Sequence, residues 1–284
     1  MKYLYLLVII FVFIANSLNA QINIPVGTSD EVNMFLKRTT CFVLKDELIS
    51  DYNDKIEESV EKFWTITPYK FIGTADFHKM RYDKSYAFIV LNQVYFEKDK
   101  TNTKFDFLIA TLGGNYKTIN DMPTLCAIPL CYHGNDEENY VYKLPVVIKF
   151  VQNHIKVCKE NPELDEKSIV EFYTNQSENI LDKTLYINKN EIDSEIKSKS
   201  SFSANYSGNF EITDIEAIKS IIDNNEPDAA ILHLIKPQLG NGLDRCFKLV
   251  VGTENAQLFY YDMHSVNKKK PALLLKSDLK NMQK

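Results

Sequence analysis

The chain has 284 residues, and its 33 basic against 38 acidic side chains give a net charge of −5. Apolar residues make up 45% and charged residues 25%, which is typical of an ordinary globular protein and excludes a low-complexity or disordered chain. The acidic balance disfavours general nucleic-acid binding, which needs a basic face, so no nucleic-acid partner is expected.

The first 20 residues have the order of a secretory signal peptide. Lys2 gives a short positive region, residues 4–15 carry no charge, and residues 16–20 are small or polar apart from Leu18. The apolar run is about 12 residues long, whereas a membrane-spanning helix needs roughly 20. We predict cleavage after Ala20, a secreted or periplasmic protein of net charge −6 after loss of Lys2, and no transmembrane segment in the mature chain.

An internal repeat predicts the domain organisation. Residues 40–48 and 184–192 both read as a short apolar strand followed by Lys, Asp or Asn, Glu and an aliphatic residue. The alternative is that two unrelated α/β segments share a common periodicity. We predict a signal peptide at 1–20, an N-terminal linker at 21–38, a first α/β repeat at 39–133, a helical connector at 134–183 and a second α/β repeat at 184–284.

The first repeat alternates helical and strand patterns. Tyr52, Ile56 and Val60 recur at helical spacing, and Pro68 ends that helix. Gly113-Gly114 closes the last predicted strand. The predicted elements in order are helix 50–64, strand 69–72, helix 74–80, strand 86–91 and strand 105–112.

The connector is predicted to be helical. Pro145 can start a helix whose buried stripe holds Val147, Val151 and Ile155, with Cys158 one turn further. Pro162 breaks this helix, and a second helix carries Ile169, Tyr173 and Ile180.

The second repeat follows the plan of the first. Its helix over 193–206 is weakened by five serines, and Thr213 with Glu216 predicts a capping box for the next helix. Asn241-Gly242 predicts a hairpin turn. The predicted strands are 210–212, 229–234, 247–252 and 257–261. The fold class is therefore α/β, or mixed α+β, with two duplicated βαβαββ modules, each with a mixed sheet.

The apolar patterns at residues 40–48, 69–77 and 86–91, with their counterparts in the second repeat, carry one resemblance. Such a module resembles the N-terminal domain of the Tol–Pal propeller protein and the core of curli-assembly lipoproteins. The resemblance implies binding or assembly in a cell envelope, by analogy of fold. The chain departs from these families because it has no lipoprotein cysteine at residue 21 and no propeller repeat downstream, and no functional residue carries over.

Motifs for nucleotide binding and serine hydrolysis are absent from the sequence. A cysteine nucleophile needs a histidine partner, and the candidates are Cys41, Cys126 and Cys131 with His133, His154 or His264. No local spacing favours any of these pairs. No catalytic, cofactor-binding or metal-ligating residue is therefore assigned, and no cofactor is expected.

The segment Cys126-x4-Cys131-x-His133 has three interpretations. It can supply zinc ligands, with Asp262-x-His264 adding more, but the second matching Cys pair of a zinc site is missing. Its cysteines can be free apolar residues in a packed, extended segment. As a hypothesis, Cys126 and Cys131 form a disulfide in the exported protein.

Two classes of function fit these patterns, and a third is weaker. The first is an exported, non-enzymatic binding or envelope-assembly module whose partner is a protein or an extracellular ligand. The second is an exported hydrolase with a motif-free active site, and the third is metal handling by the Cys126–His133 segment. The C-terminal lysines are a solvated face or a patch for an anionic partner: Lys268, Lys269, Lys270, Lys276, Lys280 and Lys284.

Overall fold

The computed structural model describes residues 24–96, 103–175, 179–237 and 244–283. In these ranges the chain forms ten strands and eight α-helices. The predicted signal peptide and the Asn241-Gly242 turn lie outside the described residues. Within them, none of the helices is both long enough and apolar enough to cross a membrane.

The first module holds a five-stranded mixed sheet in the order β2-β1-β3-β4-β5. Strand β1 pairs in parallel with β2 and β3, whereas β3, β4 and β5 are antiparallel neighbours. The strands are β1 (Thr39–Val43), β2 (Tyr69–Ile72), β3 (Tyr86–Tyr95), β4 (Lys104–Leu112) and β5 (Thr124–Tyr132). Strand β5 contains the Cys126–Cys131 segment, which the sequence predicted to be extended and packed.

The second module repeats this arrangement. Its sheet has the order β10-β9-β8-β6-β7, with β6 parallel to β7 and β8, and with β8, β9 and β10 antiparallel. The strands are β6 (Thr184–Asn188), β7 (Asn209–Thr213), β8 (Ala229–Ile235), β9 (Arg245–Gly252) and β10 (Leu258–Ser265). The two similar sheet modules confirm the predicted mixed α/β class.

Helices lie in the segments where they were predicted, with two additions, one near each end of the described chain. The helices are α1 (Ser29–Leu36), α2 (Asp51–Phe63), α3 (Thr74–Met80), α4 (Leu144–Glu160), α5 (Ile169–Thr174), α6 (Lys199–Ser203), α7 (Ile215–Asp223) and α8 (Lys276–Asn281). The additions are α8 and α1, of which α1 lies in the segment predicted as a linker. A capping box between Thr28 and Glu31 starts it, and its Val32 and Phe35 are buried.

Two local predictions in the second repeat are wrong. The helix predicted over 193–206 is a 3-10 turn at Ser194–Ile196 followed by the short α6, since serines compete for backbone hydrogen bonds. The cap of α7 is Asp214, whose Oδ1 accepts a hydrogen bond from the backbone N–H of Ala217 at 3.1 Å. Thr213 cannot serve as this cap because it is still paired in β7.

A core shared by both modules fixes their relative position. The largest buried cluster contains Phe105 of β4, Phe150 of α4 and Phe247 of β9, and the Phe105 and Phe247 ring centroids are 5.2 Å apart. Trp64 is buried in the same cluster, with its ring centroid 5.1 Å from that of Phe42. The outer face of each sheet has a separate cluster of its own.

Candidate functional site

The carboxyl ends of β6 and β8 open into a cleft of about 880 Å³ between the two modules, which we call the inter-module cleft. The second module contributes residues directly after β6 and the end of β8. The first module contributes the end of β5 and the connector, including Asn135 and Tyr140. Ligands of open α/β sheets bind at this edge, and the volume is that of a typical small-ligand site.

Asparagines dominate the polar lining of this cleft: Asn135, Asn139, Asn188, Asn190 and Asn267. An asparagine amide both donates and accepts hydrogen bonds. Asn188 is buried, and its Oδ1 accepts from the backbone N–H of Asn190 at 3.0 Å, which holds the turn after β6. Asn139, Asn190 and Asn267 are exposed to solvent and accessible to a ligand.

Glu191 is the acidic residue of the cleft lining, which also contains Lys236 and Lys268. It is 6% exposed, and its Oε1 lies 3.3 Å from Nζ of Lys143, which is 1% exposed. Burial by itself lowers the pKa of Lys143, but Glu191 and Tyr142 together raise that pKa above its usual value, so the lysine stays charged.

The second oxygen of this carboxylate, Glu191 Oε2, is buried and has no hydrogen-bond partner among the described residues. A buried acceptor without a donor costs about 1–3 kcal/mol. A hydrogen-bond donor from outside the described residues would therefore stabilise this oxygen.

A second cleft, of about 630 Å³, lies at the equivalent edge of the first module. Lys45, Asp46 and Glu47 line it after β1, and these are the repeat counterparts of residues 189–191. Asn135 and Tyr140 line both clefts, so the connector separates one from the other.

Glu137 joins this first-module cleft to the start of α2. It accepts hydrogen bonds from Ser50 Oγ at 3.1 Å and from the backbone N–H of Tyr52 at 2.9 Å, and it forms an ion pair with Lys45. Burial alone would raise the pKa of Glu137, but Lys45, Tyr52 and Ser50 lower it below its ordinary value. The contact fixes the connector against the first module.

Of the predicted cysteine–histidine pairs, the structure brings Cys131 and His133 to one carboxylate. Asp106 lies 3.1 Å from His133 Nδ1, and its Oδ2 is 3.9 Å from Cys131 Sγ. Burial, with a further contribution from Asp106, raises the pKa of Cys131 to about 12, so the thiol is protonated at neutral pH.

The other candidates lie apart from this pair. His154 lies beside Cys158, with 3.5 Å between Nε2 and Sγ, inside the shared core. His264 lies near the backbone oxygen of Pro271, 3.0 Å from its Nε2. In the described ranges, no group of three or more His, Cys, Asp or Glu side chains is arranged to hold a metal ion.

The disulfide hypothesis for Cys126 and Cys131 is wrong. Both lie in β5, where Cys126 pairs with Ala110 and Cys131 pairs with Asp106. Five residues of strand at about 3.3 Å each separate their Cα atoms by roughly 16 Å, beyond the ~7 Å that a disulfide spans. All five cysteines of the chain are buried free thiols.

We expect none of the five thiols to react with iodoacetamide in the native protein at neutral pH. Burial shields them and raises the pKa of Cys41 to about 11 and those of Cys158 and Cys246 to about 12. In denaturant without reductant, all five should be alkylated, which intact-mass measurement counts directly. If only three adducts formed in denaturant, the result would support a disulfide and contradict this expectation.

The comparisons with known proteins give no family. Protein-family models, curated proteins and solved structures were each compared with the chain, and none of the three finds a match. The resemblance to the Tol–Pal and curli-assembly proteins therefore stays a prediction, and function is argued from the site.

Sequence reasoning missed most of the cleft. Asn135 and Asn139 belong to the connector, and no motif marks them. Glu191 lies in the repeated Lys-Asn-Glu segment, which was noted for its repetition and not as a site. The useful pattern was the repeat itself, since it places residues 189–191 after a parallel strand.

Proposed function

We propose that this chain is an exported, non-enzymatic binding module that holds its ligand in the inter-module cleft. The observation that carries the proposal is Glu191 Oε2, a buried acceptor on a residue that lines the cleft, with no partner among the described residues. A ligand that donates a hydrogen bond there would recover the cost of burying that atom.

The position of the cleft supports the same function. It lies at the carboxyl edge of parallel strands and between two packed modules, which is where ligands of α/β folds are held. Asn139 and Asn190 lie on the accessible side and add donors and acceptors. Export is the expectation drawn from residues 1–20, and the envelope role is the one that the resemblance implies.

The alternative of an exported hydrolase is favoured by one observation, the Asp106–His133 pair in the first-module cleft. An imidazole held by a carboxylate is the arrangement of a general base. The adjacent nucleophile candidate is Cys131, whose pKa of about 12 leaves almost no thiolate at neutral pH. Binding is therefore the better supported function.

Native mass spectrometry of mature protein, purified gently from its own host, tests the proposal. We expect a bound ligand, and we expect the double variant Asn139→Ala/Asn190→Ala to weaken its binding by roughly 10- to 100-fold through two lost hydrogen bonds. Both side chains are exposed, so the fold should be unaffected.

The matched control is Asn115→Ala/Asn120→Ala, which removes two exposed asparagines that lie outside the cleft. It should keep full affinity. Equal losses in the two double variants, or host protein that carries no ligand at any stage of a gentle purification, would count against the inter-module cleft as the binding site.

A further inference from the structure

Resting on the proposed function, we infer that the ligand of the inter-module cleft is a peptide: an extended segment of another exported protein that presents an aliphatic side chain. Three features of the cleft lead to this chemistry, namely its amides, the neutralised charge of Glu191 and its apolar wall.

The amides match a polypeptide backbone. Each peptide group offers one N–H donor and one C=O acceptor, and an asparagine side chain offers the same pair. Asn139 and Asn190 present this pair on the exposed part of the lining. An extended backbone leaves its N–H and C=O groups free to pair with them.

The charge beside Glu191 favours a neutral donor at Oε2. Lys143, 3.3 Å from Glu191 Oε1, already compensates the carboxylate, so Oε2 needs a hydrogen bond and not a second cation. A backbone N–H supplies that bond without bringing a charge into a buried place, where charge is costly. A sugar hydroxyl would also supply this hydrogen bond, and it is the apolar wall that favours a peptide over a sugar.

One wall of the cleft is aliphatic. Ile215, Val266, Pro271 and Ala272 line it and are half-buried, so each still exposes apolar surface to the cleft. An aliphatic side chain covers such surface favourably, at roughly 25 cal/mol per Å². A saccharide carries hydroxyls on nearly every carbon and would desolvate them against this wall without partners. Side chains of an extended peptide alternate, so one can face the wall while the backbone faces the amides.

The test titrates the purified chain 21–284 by calorimetry with two sets of probes. One set is blocked hexapeptides with Val, Leu or Ile at alternate positions, and the other is neutral oligosaccharides. We expect peptides to bind, the Asn139→Ala/Asn190→Ala variant to weaken them at least tenfold, and the Asn115→Ala/Asn120→Ala control to leave them unchanged. We also expect N-methylation of one backbone nitrogen in the best peptide to reduce its affinity by a similar factor.

The possible failures are distinguishable. Oligosaccharides that bind and are weakened by the cleft variant, while peptides do not bind, would overturn the peptide and keep the binding function. Peptides that bind equally to both double variants would place them outside the cleft and overturn the inference. If neither set binds, the peptide is overturned, and the ligand found by native mass spectrometry then decides the binding function separately.

Discussion

Acidification from pH 7 to pH 4.5 is expected to reduce the free energy of unfolding by about 5 kcal/mol, through two buried histidines. Burial lowers the pKa of His154 to about 4 and that of His233 to about 3, the latter with a further contribution from nearby Lys143. Both imidazoles are therefore neutral in the folded protein at pH 7 and stay so well below it.

The hydrogen bonds agree with neutral rings. His154 Nε2 lies 2.9 Å from the backbone oxygen of Pro25, and its Nδ1 lies 2.9 Å from the hydroxyl of Tyr173, so one nitrogen donates and the other accepts. His233 Nε2 lies 2.9 Å from the backbone oxygen of Pro129, which joins the two modules. Each neutral ring carries a single N–H, which donates to a backbone oxygen.

The sign of the effect follows from the difference in proton binding between the unfolded and folded states. In the unfolded chain both histidines take up a proton near pH 6.5, whereas the folded state binds them only near pH 4 and pH 3. The stability that the neutral rings provide is complete above pH 6.5 and is lost as the pH falls toward the folded values. The part of this window above pH 4.5 lies above the ordinary pKa values of carboxyl groups, so the histidines dominate it.

Urea unfolding at intervals from pH 7 to pH 4.5 measures this loss of stability. Near pH 4.5, the slope of the unfolding free energy against pH should correspond to the uptake of close to two protons on unfolding. His233→Leu should remove about half of the slope. The control His78→Gln removes an exposed imidazole and should leave the slope unchanged. A stability that does not change across this range would contradict the buried neutral histidines.

The sequence predicts the scaffold well, because periodicity reports burial. Helix α2 was predicted from Tyr52, Ile56 and Val60, and all three are fully buried. Strand β8 was predicted over residues 229–234, and every residue in it is buried. The repeat left the strand order open, and the structure shows the same order in both sheets.

Local interactions such as helix caps were harder to predict from the sequence, because neighbouring residues can fill the same role. Thr213 and Asp214 are both good caps, and the pairing of β7 decides in favour of Asp214. Cys126 and Cys131 are near in sequence, yet the extended strand between them keeps them far apart.

The cleft could not be predicted, because its residues come from segments that only tertiary packing brings together. Tyr140 belongs to the connector, Glu191 follows β6, and Pro271 follows β10. Lys143 and Glu191 are 48 residues apart, and no spacing rule links such a pair.

Replacing Glu191 by alanine is expected to destabilise the protein by about 3–5 kcal/mol, because Lys143 would be left charged and unpaired at 1% exposure. Burial would then depress the pKa of Lys143 below its unfolded value of about 10.4. The unfolded chain would bind the proton more readily, so the deficit should shrink as the pH rises toward 10. Guanidinium unfolding of the variant at pH 7 and pH 10 measures both effects, and equal deficits at the two pH values would contradict this account.

The double variant Lys143→Met/Glu191→Leu separates the fold from the binding site. Replacing both partners of a buried ion pair with apolar residues is often neutral or stabilising, so we expect its unfolding free energy to lie near that of the unmodified chain. The same change removes Oε2, the acceptor on which the binding proposal rests. We therefore expect a stable protein whose cleft has lost its ligand, measured by native mass spectrometry beside the unfolding curve. A stable double variant that still holds the ligand at full affinity would show that Glu191 serves the packing of the two modules and not recognition.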